Sequence, residues 1–275
     1  MNHEPVTEAG RRWAEMLVAW AIPDEIVRQA EVPPWAHDPK TFAVDDTLDP
    51  SSPVFEMARE LLPVEGGSVL DVGCGGGRSS IPLMPRANLI VGVDESERML
   101  ARFAQAADEV GVAHREVVGR WPDVFIAAEP DASAMRCDVV VCHHVFFNVP
   151  DLEPFVVALT AAARLGVVVV MPKRHPLSAW SAGWRHFWNL ERPDGPTHDD
   201  AVAVLRQLGI TPEVVEMPRP PMARHADDPD ALVASARQRL CLPTSRDAEV
   251  AEWLRANPPD FMRDVVVLRW PGGLA

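Results

Sequence analysis

The chain of 275 residues contains no tyrosine, only four cysteines and fewer basic than acidic residues, and it lacks any long apolar run. Its cysteines show no Cys-x-x-Cys spacing, which argues against a metal site or a disulfide framework. No apolar run approaches the roughly 18–20 residues that a membrane span needs. The first residues, Met-Asn-His-Glu-Pro, also lack the basic and apolar pattern of a secretion signal. These absences predict a soluble cytoplasmic protein with no resident metal and no membrane partner.

Negative charge dominates: 40 acidic residues stand against 26 basic ones, giving a net charge of −14 and a pI near 5.0. Such a chain repels a phosphate backbone unless its basic residues gather on one face. The arginines in the middle of the chain are instead scattered through segments expected to surround a sheet. The composition therefore argues against a nucleic-acid partner, while the length allows one α/β domain with a cap.

A glycine-rich segment between two short apolar runs carries the most specific signal. Residues 69–79 read Val-Leu-Asp-Val-Gly-Cys-Gly-Gly-Gly-Arg-Ser, and the next apolar run ends at Asp94. The first run has the length of a buried strand, the glycines let the backbone approach a ligand, and a helix is expected to begin near Arg78. Asp94, at the end of the following strand, is placed to accept hydrogen bonds from both hydroxyls of a ribose. The pattern predicts a nucleoside site; a tight turn without a ligand is the alternative.

The spacing of the glycines separates two families of nucleoside-binding domains. The dinucleotide-binding pattern would place its third glycine where this chain has Arg78, whereas the glycines here alternate. In this respect the chain resembles class I S-adenosylmethionine-dependent methyltransferases. The resemblance implies that S-adenosylmethionine is the cofactor, that Asp71 steadies the loop and the methionine amino end, and that Asp94 holds the ribose. The loop and strand-end contacts that it implies are Asp71, Gly73, Cys74, Gly75, Gly77, Asp94 and Glu95.

The segment after the third predicted strand departs from the family. Many relatives carry a small residue and then an acid that meets the adenine amino group, but this chain has Arg120 and Trp121. These two residues are the candidates for the adenine contact. Trp121 either stacks on the base, an interaction worth about 1–3 kcal/mol, or packs at the edge of the sheet.

Two histidines, His143 and His144, end the fourth predicted strand, where methyl donor and acceptor meet in the family. Histidine suits proton transfer near neutral pH, so either residue is a candidate general base. Consecutive strand residues point to opposite faces, so at most one of them is expected to face the pocket. Orientation of the acceptor alone is the alternative, because many methyltransferases need no base.

Short apolar runs and helical segments alternate from residue 68 onward, which predicts a parallel sheet. The expected fold class is α/β: a doubly wound, mostly parallel seven-stranded sheet, the Rossmann-like methyltransferase fold, with an antiparallel hairpin at one edge. Ligands bind such sheets at the carboxyl ends of the strands, so the glycine loop, Asp94 and His144 should meet there. Strands are expected at residues 68–72, 89–94, 113–119, 138–143, 167–171, 211–217 and 264–270, and helices at 97–110, 152–165 and 197–209.

The first 50 residues are predicted to form a helical cap on a methyltransferase domain at residues 51–275. Trp35 and His37 lie in a proline-rich break of this cap, where they either line the acceptor pocket or pack as a surface loop. A helical insertion at residues 218–262 precedes the last strand and is expected to pack against the cap. Helices outside the alternating core are expected at 7–21, from 23, and at 228–240 and 247–256.

An aromatic segment follows the fifth predicted strand. Trp180, Trp184, Phe187 and Trp188 have helical spacing, so they form either a stripe facing the core or a border of the acceptor pocket. An aromatic border would favour a flat or lipophilic acceptor, or receive a cationic one by cation–π attraction. His186 is a further candidate base, and the predicted substrate contacts are Trp35, His37, Trp180, Trp184 and His186.

The leading functional prediction is an enzyme, a methyltransferase that moves the methyl group of S-adenosylmethionine to an oxygen, nitrogen or carbon of a small-molecule acceptor. A tRNA or protein acceptor is an alternative, although residues 144–148, His-Val-Phe-Phe-Asn, lack the Asn/Asp-Pro-Pro-aromatic stretch usual for amino-group methylation there. Two further alternatives are a nicotinamide-dependent oxidoreductase and a non-catalytic regulatory protein that binds the cofactor. The sequence leaves the acceptor and the oligomeric state open.

Overall fold

The computed structural model describes residues 7–36, 44, 48–128, 132–217, 228–259 and 264–273. One seven-stranded sheet organises them, in the order β3-β2-β1-β4-β5-β7-β6. Strands β1 to β5 run parallel, and β7 pairs antiparallel with both β5 and β6. The predicted fold is therefore confirmed, and the strand order reverses between β1 and β4. The strands are β1 (Gly67–Val72), β2 (Ala87–Asp94), β3 (Ala113–Val118), β4 (Cys137–His143), β5 (Ala163–Pro172), β6 (Glu213–Met217) and β7 (Val265–Pro271).

Helices flank the sheet and extend beyond it. α-Helices lie at α1 (Glu8–Val18), α2 (Asp24–Val27), α3 (Pro53–Arg59), α4 (Glu97–Val110), α5 (Asp123–Ala127), α6 (Leu152–Ala162), α7 (Ser181–Trp188), α8 (His198–Gln207), α9 (Pro229–Arg239) and α10 (Asp247–Ala256). Short 3-10 helices lie at Ile81–Leu83, Ala132–Met135, Phe146–Asn148, Pro176–Trp180 and Thr244–Arg246. None of the described helices is long and apolar enough to cross a membrane.

The prediction that a helix begins near Arg78 is wrong. The chain forms turns there and then only the 3-10 helix Ile81–Leu83 before β2 begins. Pro82 and Pro85 explain the difference, because neither has an N–H to donate and a proline ring clashes with the preceding helical turn. The glycine loop therefore passes almost directly into the second strand.

Alternating strand residues build one core on each face of the sheet. Leu70 belongs to a cluster that includes Trp13 of α1, whereas its neighbour Val69 belongs to the opposite cluster with Phe55 of α3. Helix α1 packs on this first face against α6 and α8. Its start is set by Thr7, whose hydroxyl accepts a hydrogen bond from the Gly10 N–H at 3.0 Å.

A third buried cluster lies outside the sheet and joins α2, α7, α9 and α10. The N-terminal segment and the helices before β7 are in contact, as the sequence predicts. Arg237 pairs with Glu31 at 3.4 Å, and the side-chain amide of Gln238 donates to the Pro33 carbonyl at 3.0 Å. The division of the chain into a cap, a domain and an insertion stays a prediction.

Candidate functional site

The glycine loop leaves β1 in a conformation that requires glycine. Gly73, Gly75 and Gly77 have φ values of 73°, 53° and 89°, in the left-handed region that other residues rarely adopt. A Cβ on Gly73 would also lie 2.5 Å from Cγ2 of Val145, which follows β4. The loop therefore lies against the segment after β4, at the carboxyl edge of the sheet.

Asp94, at the end of β2, is bonded directly to this loop. Its Oδ2 accepts a hydrogen bond from the Gly75 N–H at 3.0 Å, and its Oδ1 accepts one from the Ser96 N–H at 2.8 Å. An ionised carboxylate has about four acceptor positions, so two remain for the hydroxyls of a ligand. The loop and the second acid, which are 19 residues apart in the sequence, form one site.

Asp71 lies behind the loop and is fully buried. Its Oδ2 accepts a hydrogen bond from the Ser80 hydroxyl at 2.6 Å, while its Oδ1 has no hydrogen-bond partner among the residues that the structure describes. Burial raises the pKa of Asp71 to about 7, against the lowering effect of hydrogen bonds from Ser80 and Ser79. The cost of burying a charged carboxylate therefore outweighs these hydrogen bonds and favours the protonated form.

Cys74 contributes to the loop through its backbone. Its side chain is 3% exposed, and Sγ points to the Gly75 carbonyl oxygen at 3.6 Å. Burial raises the pKa of the Cys74 thiol well above its usual range, so the side chain is neutral. A ligand at the loop would meet the main chain here rather than a thiolate.

The candidates for the adenine contact lie in different surroundings. Arg120 and Glu95 are mostly exposed at the strand ends, with Arg120 Nε 3.9 Å from Glu95 Oε1. Trp121 is 5% exposed, its indole N–H donates to the Phe155 carbonyl at 3.3 Å, and its ring lies 5.0 Å from that of Phe125. This packing favours the role at the sheet edge over base stacking, because a fully enclosed ring has no free face.

His143 is the last residue of β4 and His144 follows it, and the two side chains differ in their surroundings. The half-buried His143 ring stacks on Phe55 of α3 with centroids 6.4 Å apart. His144 is exposed, has a φ of 62°, and donates its backbone N–H to the Val170 carbonyl at 2.7 Å. A left-handed φ at a residue other than glycine is uncommon and is often found at functional positions.

The substrate contacts predicted from the sequence do not gather at the loop. Trp180 and Trp184 are 3% and 0% exposed and belong to the third cluster, with α9 and α10. Trp35 is 63% exposed, and the exposed His186 stacks on Trp253 of α10 at 6.0 Å. In the part of the chain that the structure describes, no hydrogen bond, ion pair or ring contact links Trp35, Trp184 or His186 to the glycine loop. His37 lies outside the described residues.

A row of rings beside β4 and β5 was missed by the sequence interpretation. This aromatic row consists of Trp13, Phe147, His175 and Trp20, with successive centroids 5.6, 5.4 and 4.1 Å apart. Phe147 follows β4, and His175 follows β5. The position of these two residues just beyond predicted parallel strands was the signal that could have found them.

His175 is neutral in this row. Its Nδ1 accepts a hydrogen bond from the Leu177 N–H at 3.3 Å, so the ring proton lies on Nε2. Burial and, to a smaller extent, the charge of nearby Arg192 lower the pKa of His175 to about 4. The side chain is therefore a hydrogen-bond donor near neutral pH rather than a charged group.

Comparison with known proteins agrees with this geometry. The methyltransferase domain family matches residues 70–171, which include the loop, Asp94 and both strand-end histidines. This stretch is similar to methyltransferase domains. The matched stretch, residues 70–171, ends within β5. The aromatic row includes Phe147 inside this stretch, Trp13 and Trp20 before it, and His175 after it.

Similar curated proteins match part of this chain. The ubiquinone biosynthesis O-methyltransferase of Leptothrix cholodnii is 36% identical over 106 residues, which is 38% of this chain and 42% of that protein. The phosphatidylethanolamine N-methyltransferase of Cereibacter sphaeroides is 29% identical over 161 residues, 54% of this chain and 75% of that protein. This chain therefore spans less than half the length of the first relative.

Solved structures share the fold at low identity. The YcgJ protein of Bacillus subtilis has a TM-score of 0.55 and 15% identity, covering 81% of this chain and 98% of that one. A cyclopropane-fatty-acyl-phospholipid synthase-like protein of Lactobacillus casei has a TM-score of 0.53 and 15% identity, covering 90% and 98%. At this identity the likeness concerns the fold alone, and it extends beyond the matched stretch.

Proposed function

We propose that this protein is an S-adenosylmethionine-dependent methyltransferase with a small-molecule acceptor. The observation that carries the proposal is the hydrogen bond from the Gly75 N–H to Asp94. It joins the glycine loop to Asp94, the carboxylate proposed to hold the ribose, at the carboxyl edge of the sheet. This edge lies beside the point where the strand order reverses between β1 and β4, which is where open α/β sheets bind ligands.

The residues at this edge fit the cofactor. Asp94 has acceptor positions left for both ribose hydroxyls, and the main chain of the loop approaches without a Cβ at Gly73 or Gly75. The unpartnered Oδ1 of Asp71 fits a site completed by a ligand with positive charge or by a hydrogen-bond donor. Glu95 and Arg120 are assigned to the open end, near the adenosine. S-Adenosylmethionine, when bound, supplies an electrophilic methyl group on a sulfonium sulfur.

The protein's contribution to methyl transfer is orientation and proton removal. Holding the acceptor in line with the methyl group can supply several kcal/mol of the barrier reduction. His144 is placed at the end of β4, exposed, and is the first candidate to take a proton from an acceptor hydroxyl or amine on a ring nitrogen. His143 is the second candidate, although its ring packs on Phe55.

The acceptor side is proposed to lie beside His144, which is exposed just beyond the end of β4. The rings of the aromatic row do not form this side, because Trp13, Trp20 and Phe147 are 0%, 6% and 6% exposed and cover one another. The two named relatives act in ubiquinone biosynthesis and on phosphatidylethanolamine, so they do not agree on one acceptor. Of the substrate contacts expected from the sequence, Trp180 and Trp184 are buried in the third cluster, so we do not propose them as contacts of the acceptor. A cytoplasmic location stays a prediction.

Calorimetric titration of an Asp94→Ala variant tests the proposal. Asp94 would lose two charge-assisted hydrogen bonds to the ribose, each worth about 1.5–3 kcal/mol. We expect affinity for S-adenosylhomocysteine to fall by a factor of about 100 or more, since every 1.4 kcal/mol corresponds to about tenfold. Asp230→Asn, which changes an exposed carboxylate on α9, is the control and should bind like the wild type. Unchanged affinity in folded Asp94→Ala would remove Asp94 from the site.

A further inference from the structure

The edge of the sheet opposite the glycine loop contains a cavity of about 250 Å³. Ser68 of β1, Leu89 of β2 and Cys137 of β4 line it, and each lies within the first three residues of its strand. Asp94 lies at the other end of β2, five residues beyond Leu89, which corresponds to about 16 Å at the rise of an extended strand. The cavity is therefore separate from the proposed cofactor site.

Arginines dominate the lining of this cavity. Arg115, Arg136 and Arg164 all line it, whereas no carboxylate among the residues that the structure describes does so. The chain as a whole has 40 acidic and 26 basic residues, so this lining reverses the average charge of the protein. Like charges that share a small space repel one another, and an anion between them would remove that repulsion.

Two of these arginines have N–H donors to spare. Arg115 of β3 is exposed, and within the described part of the chain no hydrogen bond or ion pair holds its guanidinium. Arg164 of β5 is also exposed and reaches Asp138 through Nη1 at 3.5 Å. Arg136 is held in place, because its Nη1 donates to the Ala161 carbonyl at 2.8 Å. Arginine has five N–H donors, so Arg115 and Arg164 can both bind a ligand.

The carboxylates next to the cavity already have partners. Asp138 accepts hydrogen bonds from the Ser68 N–H and the Ser68 hydroxyl, both at 2.8 Å. Asp108 and Glu116 pair with the two ring nitrogens of His114, which also lines the cavity. These carboxylates are therefore held by other groups of the chain.

The charge of the arginines reaches the bottom of the cavity, where Cys137 is buried. Burial raises the pKa of the Cys137 thiol to about 11, against a hydrogen bond with Ser68. The charge of Arg164 lowers this pKa by more than Asp138 raises it, and Arg115 lowers it further. The charged residues therefore produce a positive field at the base of the cavity.

We propose that this cavity binds a small anion with a phosphate group, with Arg115 and Arg164 as its main donors and Arg136 as a third positive charge. The inference goes beyond the proposed methyltransferase activity and does not depend on it. A guanidinium presents pairs of N–H donors that match two phosphate oxygens. A phosphate monoester carries a charge of about −1.5 to −2 at neutral pH, so it suits several arginines better than a carboxylate does.

The size of the cavity and the charge of the chain limit the ligand. One water molecule occupies about 30 Å³ in the liquid, so a cavity of about 250 Å³ holds a phosphate group together with some of its water. The net charge of −14 repels a long phosphate backbone. A single phosphate group, either free or in a monoester, is therefore the ligand that fits.

Calorimetric titration of the full chain with three probes tests the proposal. Inorganic phosphate, phenyl phosphate and acetate are added at constant ionic strength. We expect saturable binding of a phosphate probe that is about tenfold or more tighter than binding of acetate, because a further charge-assisted hydrogen bond is worth at least that factor. Tighter binding of phenyl phosphate identifies a monoester as the ligand, and tighter binding of inorganic phosphate identifies free phosphate. No saturable binding of either phosphate, or equal binding of acetate, overturns the proposal.

Variants assign the binding to the cavity. Arg115→Gln and Arg164→Gln should each weaken phosphate binding by about tenfold or more, and both positions are exposed, so both variants should fold. Arg255→Gln makes the same change of charge at an exposed position on α10 and should bind phosphate like the wild type. Wild-type phosphate affinity in folded Arg115→Gln and Arg164→Gln contradicts the assignment.

S-Adenosylhomocysteine separates this site from the glycine loop. Its affinity should be the same with and without saturating phosphate, and the same in the Arg115 and Arg164 variants as in the wild type. Competition between phosphate and S-adenosylhomocysteine would place the phosphate at the glycine loop and overturn the proposal. Phosphate binding that depends on Arg115 and Arg164, in a protein without affinity for S-adenosylhomocysteine, supports this site and refutes only the proposed function.

Discussion

Replacing Asp71 by asparagine should make the ligand-free protein more stable at neutral pH, and by an amount that depends on pH. The carboxyl of Asp71 is fully buried, and its pKa is raised from 3.8 to about 7, first by burial and against the hydrogen bonds of Ser80 and Ser79. In the unfolded chain the same group is ionised above about pH 4. The folded protein therefore holds a proton that the unfolded chain releases.

The sign and size of the effect follow from this difference. Because the pKa of Asp71 is raised in the folded state, the proton bound to Asp71 stabilises the folded protein at low pH. This contribution to the free energy of unfolding is lost as pH rises toward 7. Each pH unit in this window changes the free energy of unfolding by about 1.4 kcal/mol. Between pH 5.5 and pH 8 the wild type should lose about 2 kcal/mol that Asp71→Asn retains, since an amide does not titrate.

Urea unfolding of both proteins at half-unit pH steps measures this difference. Asp138→Asn is the matched control, because Asp138 is also a strand aspartate but its pKa is lowered by hydrogen bonds with Ser68, so its titration lies below the tested range. The stability difference between Asp138→Asn and wild type should stay constant with pH. A difference between Asp71→Asn and wild type that does not vary from pH 5.5 to pH 8 would refute the reasoning.

Two further predictions concern the loop and the candidate base. Gly73 and Gly111 share a φ of 73°, but a Cβ at Gly111 meets nothing within 4 Å while one at Gly73 meets Val145. Gly73→Ala and Gly111→Ala should each lower the free energy of unfolding by about 1–2 kcal/mol through backbone strain, and Gly73→Ala should lower it by about 1–3 kcal/mol more. Urea unfolding measures both losses, and equal losses would contradict the loop geometry. His144→Ala should lower kcat about 100-fold or more and leave the affinity for S-adenosylhomocysteine unchanged. The rate is measured with an acceptor found by screening small molecules, and an unchanged kcat would mean that orientation of the acceptor alone suffices.

The sheet and its carboxyl-edge loop were predictable because their signals are local. The strand ending at Val72 is a short apolar run, and the glycines after it require a conformation that the neighbouring sequence already specifies. Asp94 follows from the same alternation, since parallel strands bring their carboxyl ends to one edge. The strand boundaries differ from the expected ones by a few residues, most at β5, which begins at Ala163 directly after α6.

The features that could not be predicted from the sequence depend on local conflicts between residues or on contacts between distant parts of the chain. A helix was expected to begin near Arg78 from the pattern of the strand and the glycines, but Pro82 and Pro85 remove the donors that it needs. The stacking of Trp20 on His175 could not be predicted, because the two rings come from distant parts of the sequence. Trp121 had two open interpretations, and only the packing of its ring in the core favours one of them.

Parallel calorimetric titrations of the wild-type protein with S-adenosylmethionine, S-adenosylhomocysteine and NAD test the central claim most directly. The geometry of the loop and Asp94 predicts micromolar binding of the first two ligands and no binding of NAD. Binding of NAD alone would contradict the account, because it would mean that the alternating glycines and Asp94 serve a dinucleotide rather than the methyl donor.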